Sequence, residues 1–568
     1  MNEGARNGTW RRLALSATHP AVPLLVAAAW LTTVGAAAAL APASVRGPAM
    51  LAAGIAVIII AYLRLPKPTL AAFALVILFY DTFSVWLGGG AIEQMDEAIV
   101  PILFVIGWWR LKPWKRGLFE PVRDGALLLA LGLGVISSVV NGVPHDVWLI
   151  SLLLMVKVVA FLQVVIWHDY AEADVRQVTF AVAAVAVAVL VLGAIELIDG
   201  PGFRAALNLP TISNLRGQLP GIKAIFYHPV LFSWFCTFAA LFLFAFHTVY
   251  RRWPLLIAAF LFSAGSFLGG RRRGIAGLVL ALVGGFVADR QNRSWRAQGR
   301  RWLPAAASFL ALAVFFLPSL IQLVGLTIDE PRPPASAPAA TAPAAATPSG
   351  QRATDPPTAN VSPPPSPTPG PTAGATATPG ASHATSPGVT PRPGAPTGPN
   401  DVRTQDARLA LYLTSIDVAR DRFPLGAGLG RYGSPLSRST YSPVYVEYGL
   451  NFVYGLGWEH TDYITDTFWP QILGEAGVFG LLAYGTFVAA IGLSLWRATR
   501  VKLSPFVYAF VLATWMVFLQ ALVETLASSM FHSPPRIYLL FGCVGMTIAL
   551  ARAAVSREQA QPPSAAKQ

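Results

Sequence analysis

Residues 253–289 read WPLLIAAFLFSAGSFLGGRRRGIAGLVLALVGGFVAD, two apolar runs separated by the adjacent arginines Arg271, Arg272 and Arg273. Each run approaches the roughly 20 residues that a helix needs to cross the hydrocarbon core. Charged groups between two spans are rarely incidental, because they are costly to desolvate. The stretch therefore predicts two membrane helices joined by an arginine-bearing turn, and the side of the membrane that this turn faces decides its role.

The composition extends this prediction to the whole chain. Of 568 residues, 54% are hydrophobic and only 12% are charged, too apolar for an ordinary soluble globule. We predict an all-α polytopic membrane protein with about 14 transmembrane helices, or 12 to 14 when short spans are weighed. The expected spans are 21–41, 48–63, 69–87, 98–110, 125–141, 147–168, 177–198, 226–249, 253–269, 274–289, 303–326, 467–496, 504–527 and 536–554.

Charge and cysteine content narrow the expected partners. The net charge of +14 comes mostly from short loops between apolar runs, where basic residues orient a protein in the bilayer. Membrane lipids are therefore expected partners, and nucleic acid is not. The two cysteines, Cys236 and Cys543, both lie inside apolar runs, so neither a disulfide framework nor a cysteine metal site is expected.

Basic residues alternate from loop to loop, as they do when both termini are cytoplasmic. The loops predicted to be cytoplasmic contain Arg64 and Lys67, and then the basic residues of 110–123, 251–252, 290–301 and 497–502. The same alternation places residues 270–273 outside, against the positive-inside rule. Their arginines therefore need a reason other than topology.

The predicted organisation has one large extracytoplasmic loop. Its first half contains no aromatic residue and no Leu, Ile or Met between 331 and 400, so it cannot bury enough apolar surface to fold. From 401 the composition changes: residues 401–421 have helical periodicity, and Pro424 marks the stop. The expected domains are spans 1–11 with a cytoplasmic N-terminus in 1–326, a disordered Pro/Ala/Thr-rich tether in 327–400, an ordered extracytoplasmic catalytic loop in 401–466, spans 12–14 in 467–554, and a cytoplasmic tail in 555–568.

One glycine-rich segment matches a dinucleotide-binding motif but lacks the flanking structure that such a site needs. Residues 428–433, GLGRYG, fit G-x-G-x-x-G, but prolines flank them where a dinucleotide site needs a strand and a helix. We interpret them as a turn. No Walker A, H-E-x-x-H or G-x-S-x-G pattern occurs, which argues against an ATP-driven pump, a zinc protease and a common serine hydrolase.

A series of short motifs between about 210 and 485 resembles the O-antigen ligase and polymerase superfamily of membrane glycosyltransferases. The series is Arg273-Gly274 at the start of a span, Arg408 ahead of Phe423-Pro424-Leu425-Gly426-Ala427-Gly428-Leu429-Gly430, then His460-Thr461-Asp462-Tyr463-Ile464, then Glu475-Ala476-Gly477-Val478-Phe479-Gly480. It departs from the superfamily pattern at Thr461, where Asn is usual, and at residues 270–272, where Ser usually precedes the motif arginine.

The resemblance implies a GT-C-like bundle that moves a glycan from a polyprenyl (undecaprenyl) diphosphate carrier to an acceptor hydroxyl. His460 would be the general base. Arg273, Arg408 and Arg272 would hold the diphosphate, because a guanidinium matches phosphate bidentately and stays charged. The expected location is the bacterial cytoplasmic (inner) membrane with the active site on its outer face, in cell-surface polysaccharide biosynthesis, including that of lipopolysaccharide.

By the same resemblance, Tyr463 and Glu475 would support the site, and no metal or cofactor is implied. The acceptor stays open: a lipid would make the chain a ligase, a growing glycan a polymerase, and a protein hydroxyl an oligosaccharyl transferase. A transporter of anionic solutes is the alternative from another class, although transporters commonly show paired repeats that this sequence lacks.

Each ionisable residue also has a structural interpretation. The arginines at 271–273 could anchor lipid headgroups, Arg408 could be a solvated helix residue, and His460 a merely exposed loop residue. His228, at the start of a span, is expected to be structural. Two groups within spans, Lys157 and Glu524, are either functional or satisfied inter-helix contacts.

Overall fold

The structure, a computed structural model, describes residues 19–87, 92, 94–209, 215–216, 219–268, 272–290, 302–303, 307, 406–532 and 534–560. For 215–220 and 272–275 it describes at most the backbone. The predicted tether, 327–400, lies outside the described residues, as does the predicted span 303–326 apart from residues 303 and 307. All described residues belong to one compact unit, formed by residues 1–320 and 389–568.

Most of the described chain is helical. Its first helices are α1 Val22–Leu40, α2 Arg46–Arg64, α3 Pro66–Ile77, α4 Tyr80–Leu87, α5 Met95–Leu111, α6 Pro121–Val140, α7 His145–Trp167, α8 Glu172–Ile198 and α9 Gly200–Ala206. After a two-residue antiparallel ladder, Leu215–Arg216 with Leu219–Pro220, come α10 Pro229–Tyr250, α11 Trp253–Leu268 and α12 Arg272–Arg290. The last are α13 Ala407–Asp421, α14 Pro435–Ser439, α15 Pro443–Glu447, α16 Trp469–Ala498, α17 Pro505–Glu524 and α18 Arg536–Ala560, with short 3₁₀ turns at Ala43–Val45, Leu450–Phe452 and Thr525–Ala527.

Among these described helices, nine are long and apolar enough to cross a membrane, so the chain is a polytopic membrane protein. A tenth crossing results if α3 and α4, bent by 70° at their junction, form one span. Every predicted span except 303–326 coincides with a helix or with this bent pair. Several of them are shorter or more charged than a free-standing span, so the total of 14 stays a prediction.

Loops predicted to be cytoplasmic bond to one another at one end of the bundle. The contacts are Lys67 Nζ to Asp174 at 2.8 Å, Arg110 Nη1 to the Leu63 carbonyl at 3.0 Å, Arg116 Nη1 to the Trp167 carbonyl at 3.2 Å, and Tyr508 Oη to Asp289 at 2.9 Å. We call this the basic end, because the arginine-rich and lysine-rich loops gather here. Such a gathering is what the positive-inside rule expects of a cytoplasmic face.

Loops predicted to be outside bond to one another at the opposite end. Here Thr82 donates to the Ile225 carbonyl at 2.5 Å, Trp86 to the Leu207 carbonyl at 2.7 Å, Asn141 to the Gly426 carbonyl at 2.9 Å, and Tyr412 to the Leu526 carbonyl at 2.8 Å. We call this the cap end. The predicted alternation of loops therefore agrees with the way the described loops meet in space.

Residues 406–468 form a cap with its own small core. Leu411 and Val418 of α13 pack with Tyr432, Tyr445 and Ile464, all of them buried. Of the helix predicted over 401–421, the part from Ala407 to Asp421 is confirmed as α13, which ends three residues before Pro424, whereas 401–405 lie outside the described residues. Asp406 caps its N-terminus by accepting the N–H groups of the first turn.

Candidate functional site at the cap end

The cap is seated in a break of helix α16. Gly477, the ninth of the 30 residues of this helix, has φ 71° and ψ −170°, so the helix is kinked there. The turn at Gly426 fills the bend, because the N–H of Ala427 donates to the Gly474 carbonyl at 2.7 Å. Two of the sequence motifs, residues 423–430 and 475–480, are therefore packed against each other. The GLGRYG segment within this region is a turn, as the sequence predicted.

Glu475 is hydrogen-bonded at the contact between the cap and helix α16. Its side chain is buried, and its Oε1 accepts the N–H of Tyr432 at 3.2 Å. Its carbonyl accepts the N–H of Gly428 at 2.9 Å and the hydroxyl of Ser137 at 3.0 Å. Glu475 thus joins the cap to helices α6 and α16, a position that suits the supporting role expected of it.

Arg408 and Tyr412 lie one turn apart on α13 and face the bundle. Arg408 Nη2 donates to Asp466 at 2.5 Å, just before α16, while the Tyr412 hydroxyl donates to the carbonyl of Leu526, just after α17. The Nε of Arg408 has no hydrogen-bond partner among the described residues. Arg408 is therefore an ion-paired docking residue whose Nε–H is buried without a partner among the described residues.

His460 lies in an exposed turn of the cap, and its imidazole is accessible to solvent. A backbone hydrogen bond closes this turn: the N–H of Tyr463 donates to the Gly455 carbonyl at 3.0 Å. Gly455 has φ 83°, and a Cβ there would overlap the Tyr463 ring. The ring of Tyr454 lies 5.7 Å from the imidazole. These contacts hold the histidine on a defined loop while leaving the ring exposed to solvent.

The arginine cluster lies outside the described residues in part. Arg271 is not described, and Arg272 and Arg273 are described only as the first backbone positions of α12. Helix α12 runs antiparallel to α17. A Cβ on Gly277, near the start of α12, would lie 3.0 Å from the Gln520 side chain, whereas Asp289, near its end, accepts from Tyr508, near the start of α17, at 2.9 Å. The start of α12 therefore lies at the cap end, where the sequence predicted the arginines.

The cap end contains further charged residues that the motifs did not reveal. Arg536, the first residue of α18, lies 3.9 Å from Glu524 and donates to Ser528 at 3.1 Å. Lys223 is buried in the loop before α10, and burial lowers its pKa to about 8. The positive-inside rule is the signal that could have found both residues, because each is a cation on the predicted outer side.

Lys157 and Glu524, two ionisable residues within predicted spans, both have side-chain partners in the structure. Lys157 forms ion pairs with Asp96 at 2.8 Å and Glu97 at 3.1 Å, so it is a satisfied inter-helix contact. Glu524 accepts the Gln520 amide at 3.0 Å at the end of α17. His228 is exposed at the start of α10.

Among the residues described, one cap therefore contains Arg408 and His460. Tyr463 lies three residues after His460, and its carbonyl accepts the N–H of Asp466, the ion-pair partner of Arg408, at 3.1 Å. Within the same described ranges, no group of three or more His, Cys, Asp or Glu side chains is arranged to hold a metal ion. No protein-family model matches the chain, and no curated protein matches it either.

Proposed function

We propose that the chain is a membrane glycosyltransferase of the O-antigen ligase type. One observation carries the proposal: motifs separated by some 200 residues of sequence gather at one end of the bundle. The 423–430 turn fits into the break at Gly477, the His460 turn connects through Asp466 to Arg408, and the arginine-bearing start of α12 lies at the same end. Gathered motifs of this kind are typical of an active site rather than of separate packing features.

The chemistry follows from the residue types. His460 takes the proton from the acceptor hydroxyl, whose oxygen attacks the anomeric carbon of the carrier-linked glycan. A new glycosidic C–O bond forms as the bond to the diphosphate oxygen breaks, and the polyprenyl diphosphate leaves. Negative charge grows on that leaving group, where fixed guanidinium groups lower the barrier. In this scheme Arg273 and Arg272 hold the diphosphate from the start of α12, and Arg408 holds it from the cap.

The position of the cap suits a carrier that stays in the membrane. Tyr412 and Arg408 dock α13 onto the ends of α16 and α17, so the cap lies directly over the bundle. The apolar tail of the donor would lie among the helices while its diphosphate meets the arginines. We infer that the reaction takes place at the outer boundary of the inner membrane.

The test is transfer in a reconstituted system. Full-length protein in lipid nanodiscs is mixed with an undecaprenyl-diphosphate-linked glycan, and release of undecaprenyl diphosphate is followed with a panel of lipid, glycan and peptide acceptors. His460→Ala should lower transfer by at least about 10²-fold, the usual contribution of a general base. His145→Ala, at an exposed histidine of another predicted outer loop, is the matched control. Equal transfer by the two variants would reject the assignment, and the acceptor that is used separates a ligase from a polymerase.

A transporter of anionic solutes is the second candidate, because two helices of the bundle are interrupted: α3–α4 is bent by 70°, and α16 breaks at Gly477. Discontinuous helices line the substrate sites of many transporters. Here, however, the chain itself packs against both interruptions. The ring of Phe79, at the bend, stacks on that of Phe226 with centroids 5.0 Å apart, and the 424–426 turn packs on Gly477. Solute uptake by proteoliposomes that show no glycan transfer would favour the transporter.

A further inference from the structure

Lys223 combines burial with a lack of partners. Only 3% of its surface is exposed, and its Nζ has no hydrogen-bond partner among the described residues. Burying an ammonium group without a partner destabilises a fold, so the position would ordinarily be occupied by an apolar residue. A residue that lowers stability in this way is a sign of a functional site.

The nearest carboxylate is already engaged by other groups. Glu196 Oε2 accepts the backbone N–H of Lys223 at 2.8 Å and that of Ala224, and its Oε1 lies 3.7 Å from Arg204 Nη1. Arg204 in turn donates to the carbonyls of Ala224 and Phe226. Glu196 therefore holds the loop in place, and its oxygens are occupied by these contacts rather than by the Lys223 ammonium.

The other charged groups that act on Lys223 and its neighbour are positive. Burial and the Arg204 charge lower the pKa of Lys223 to about 8, and Glu196 opposes them only in part. Burial, Lys223 and Arg536 all lower the pKa of His228. His228 is exposed and precedes the first turn of α10 without capping it through its side chain. The local field around Lys223 and His228 therefore favours a negatively charged ligand.

We propose that Lys223 is the floor of an anion site for a phosphate group, with His228 at its mouth and the N-terminus of α10 beside it. Phosphate fits because its several oxygens can accept from the ammonium, the imidazole and backbone N–H groups at once. The site rests on the proposed function only for the identity of the ligand, which would then be a phosphate-bearing lipid substrate. A phospholipid headgroup and free phosphate present the same chemistry.

Thermal unfolding tests the proposed phosphate site at Lys223 without any measurement of glycan transfer. Full-length protein in phosphate-free maltoside micelles is titrated with inorganic phosphate at constant ionic strength, and in parallel with micelles containing phosphatidic acid. The wild-type melting temperature should rise saturably with at least one of the two. Lys223→Met should melt higher than wild type without ligand, and its half-saturating ligand concentration should be at least about tenfold higher, equivalent to about 1.4 kcal/mol.

Two further variants make the outcome decisive. Lys223→Arg keeps the positive charge and should retain the response, whereas Lys502→Met, at an exposed lysine of the basic end, should behave like wild type. A response to inorganic phosphate supports a site for free phosphate, and a response to phosphatidic acid alone supports a lipid headgroup. No response by the wild type to either ligand, or an equal response by Lys223→Met, would overturn the proposal. Because no transfer is measured, inactivity of the chain as a glycosyltransferase would leave this result unchanged.

Discussion

Gly426 and Gly477 meet backbone to backbone: a Cβ on Gly426 would lie 2.7 Å from the nitrogen of Gly477. The converse is equally tight, because a Cβ on Gly477 would lie 2.2 Å from the Pro424 carbonyl oxygen. Each glycine has φ 71°, in the left-handed region that side chains disfavour. The cap and helix α16 can therefore fit together only where neither residue has a side chain.

Gly477→Ala should destabilise the protein by about 2–4 kcal/mol, because it adds an overlap to an unfavourable φ. Gly485→Ala is the matched control: it lies on the same helix, a Cβ there meets nothing within 4 Å, and its effect should stay within about 1 kcal/mol. Thermal unfolding compares the two, and limited proteolysis reports whether the cap has come loose. Equal melting temperatures for the two variants would contradict the interlock.

This junction also shows how far sequence reasoning reaches. Gly426 and Gly477 each belong to a motif visible in the sequence, but their mutual contact depends on a fold that brings together positions about 50 residues apart. The helix positions were predictable because apolar runs of membrane length leave few alternatives. The bend between α3 and α4 was not, because residues 69–87 contain no proline or glycine to mark a break.

In the candidate site too, the residue types are visible in the sequence, whereas the contacts between them depend on the fold. His460, Arg408 and Arg273 were found because their residue types match a chemistry. The ion-pair partner of Arg408 is Asp466, which is 58 residues away in the chain, and no local sequence pattern predicts this pair. Lys223 was missed for a different reason: a single lysine in a polar loop is unremarkable until its burial is known.

Separating docking from catalysis at Arg408 requires two measurements. The ion pair with Asp466 is partly exposed, at 36% and 30% for the two side chains, so a double-mutant cycle should give a coupling of about 1 kcal/mol or less. If Arg408 also binds the diphosphate, Arg408→Ala should lower transfer by about 10²-fold. Asp466→Asn, which removes the pair but keeps the arginine, should retain most of the activity. A parallel loss in both variants would show that Arg408 only positions the cap.

The ion pair of Lys157 with Asp96 predicts a strong dependence of stability on charge balance. The two side chains are buried, and the Tyr538 hydroxyl also donates to Asp96, at 2.8 Å. Lys157→Met should destabilise the protein by about 3–5 kcal/mol, since it leaves a buried carboxylate without its cation. Adding Asp96→Asn to this variant should recover much of the loss. If the single variant melts like wild type, the pair does not neutralise buried charge.

His532 should make stability depend on pH below neutrality. It is buried against Phe468 and Tyr484, and burial lowers its pKa to about 3. Below about pH 6.5 the unfolded chain gains a proton on this histidine that the folded protein does not accept, so stability falls as pH drops toward 3. The slope should reach about 1.4 kcal/mol per pH unit.

Replacing His532 by Phe, which keeps an aromatic ring between the same neighbours, should flatten this slope. Unfolding measured at intervals between pH 7 and pH 4 decides the question. An unchanged slope in the variant would mean that other groups account for the acid sensitivity.

The separation of the loops into two ends predicts their accessibility in the membrane. Cys236 and Cys543 are both free thiols, so replacing each by Ala gives a cysteine-free background without breaking a disulfide. Single cysteines at Thr461 and His145, both at the cap end, should react with an impermeant maleimide in intact cells. A cysteine at Lys115, at the basic end, should react only after permeabilisation.

The concentration of basic residues near Lys115 is the physical reason for this orientation. Labelling in the reverse pattern would place His460 on the cytoplasmic side, where a carrier-linked glycan exposed at the outer surface could not reach it, and would remove the basis of the proposed reaction.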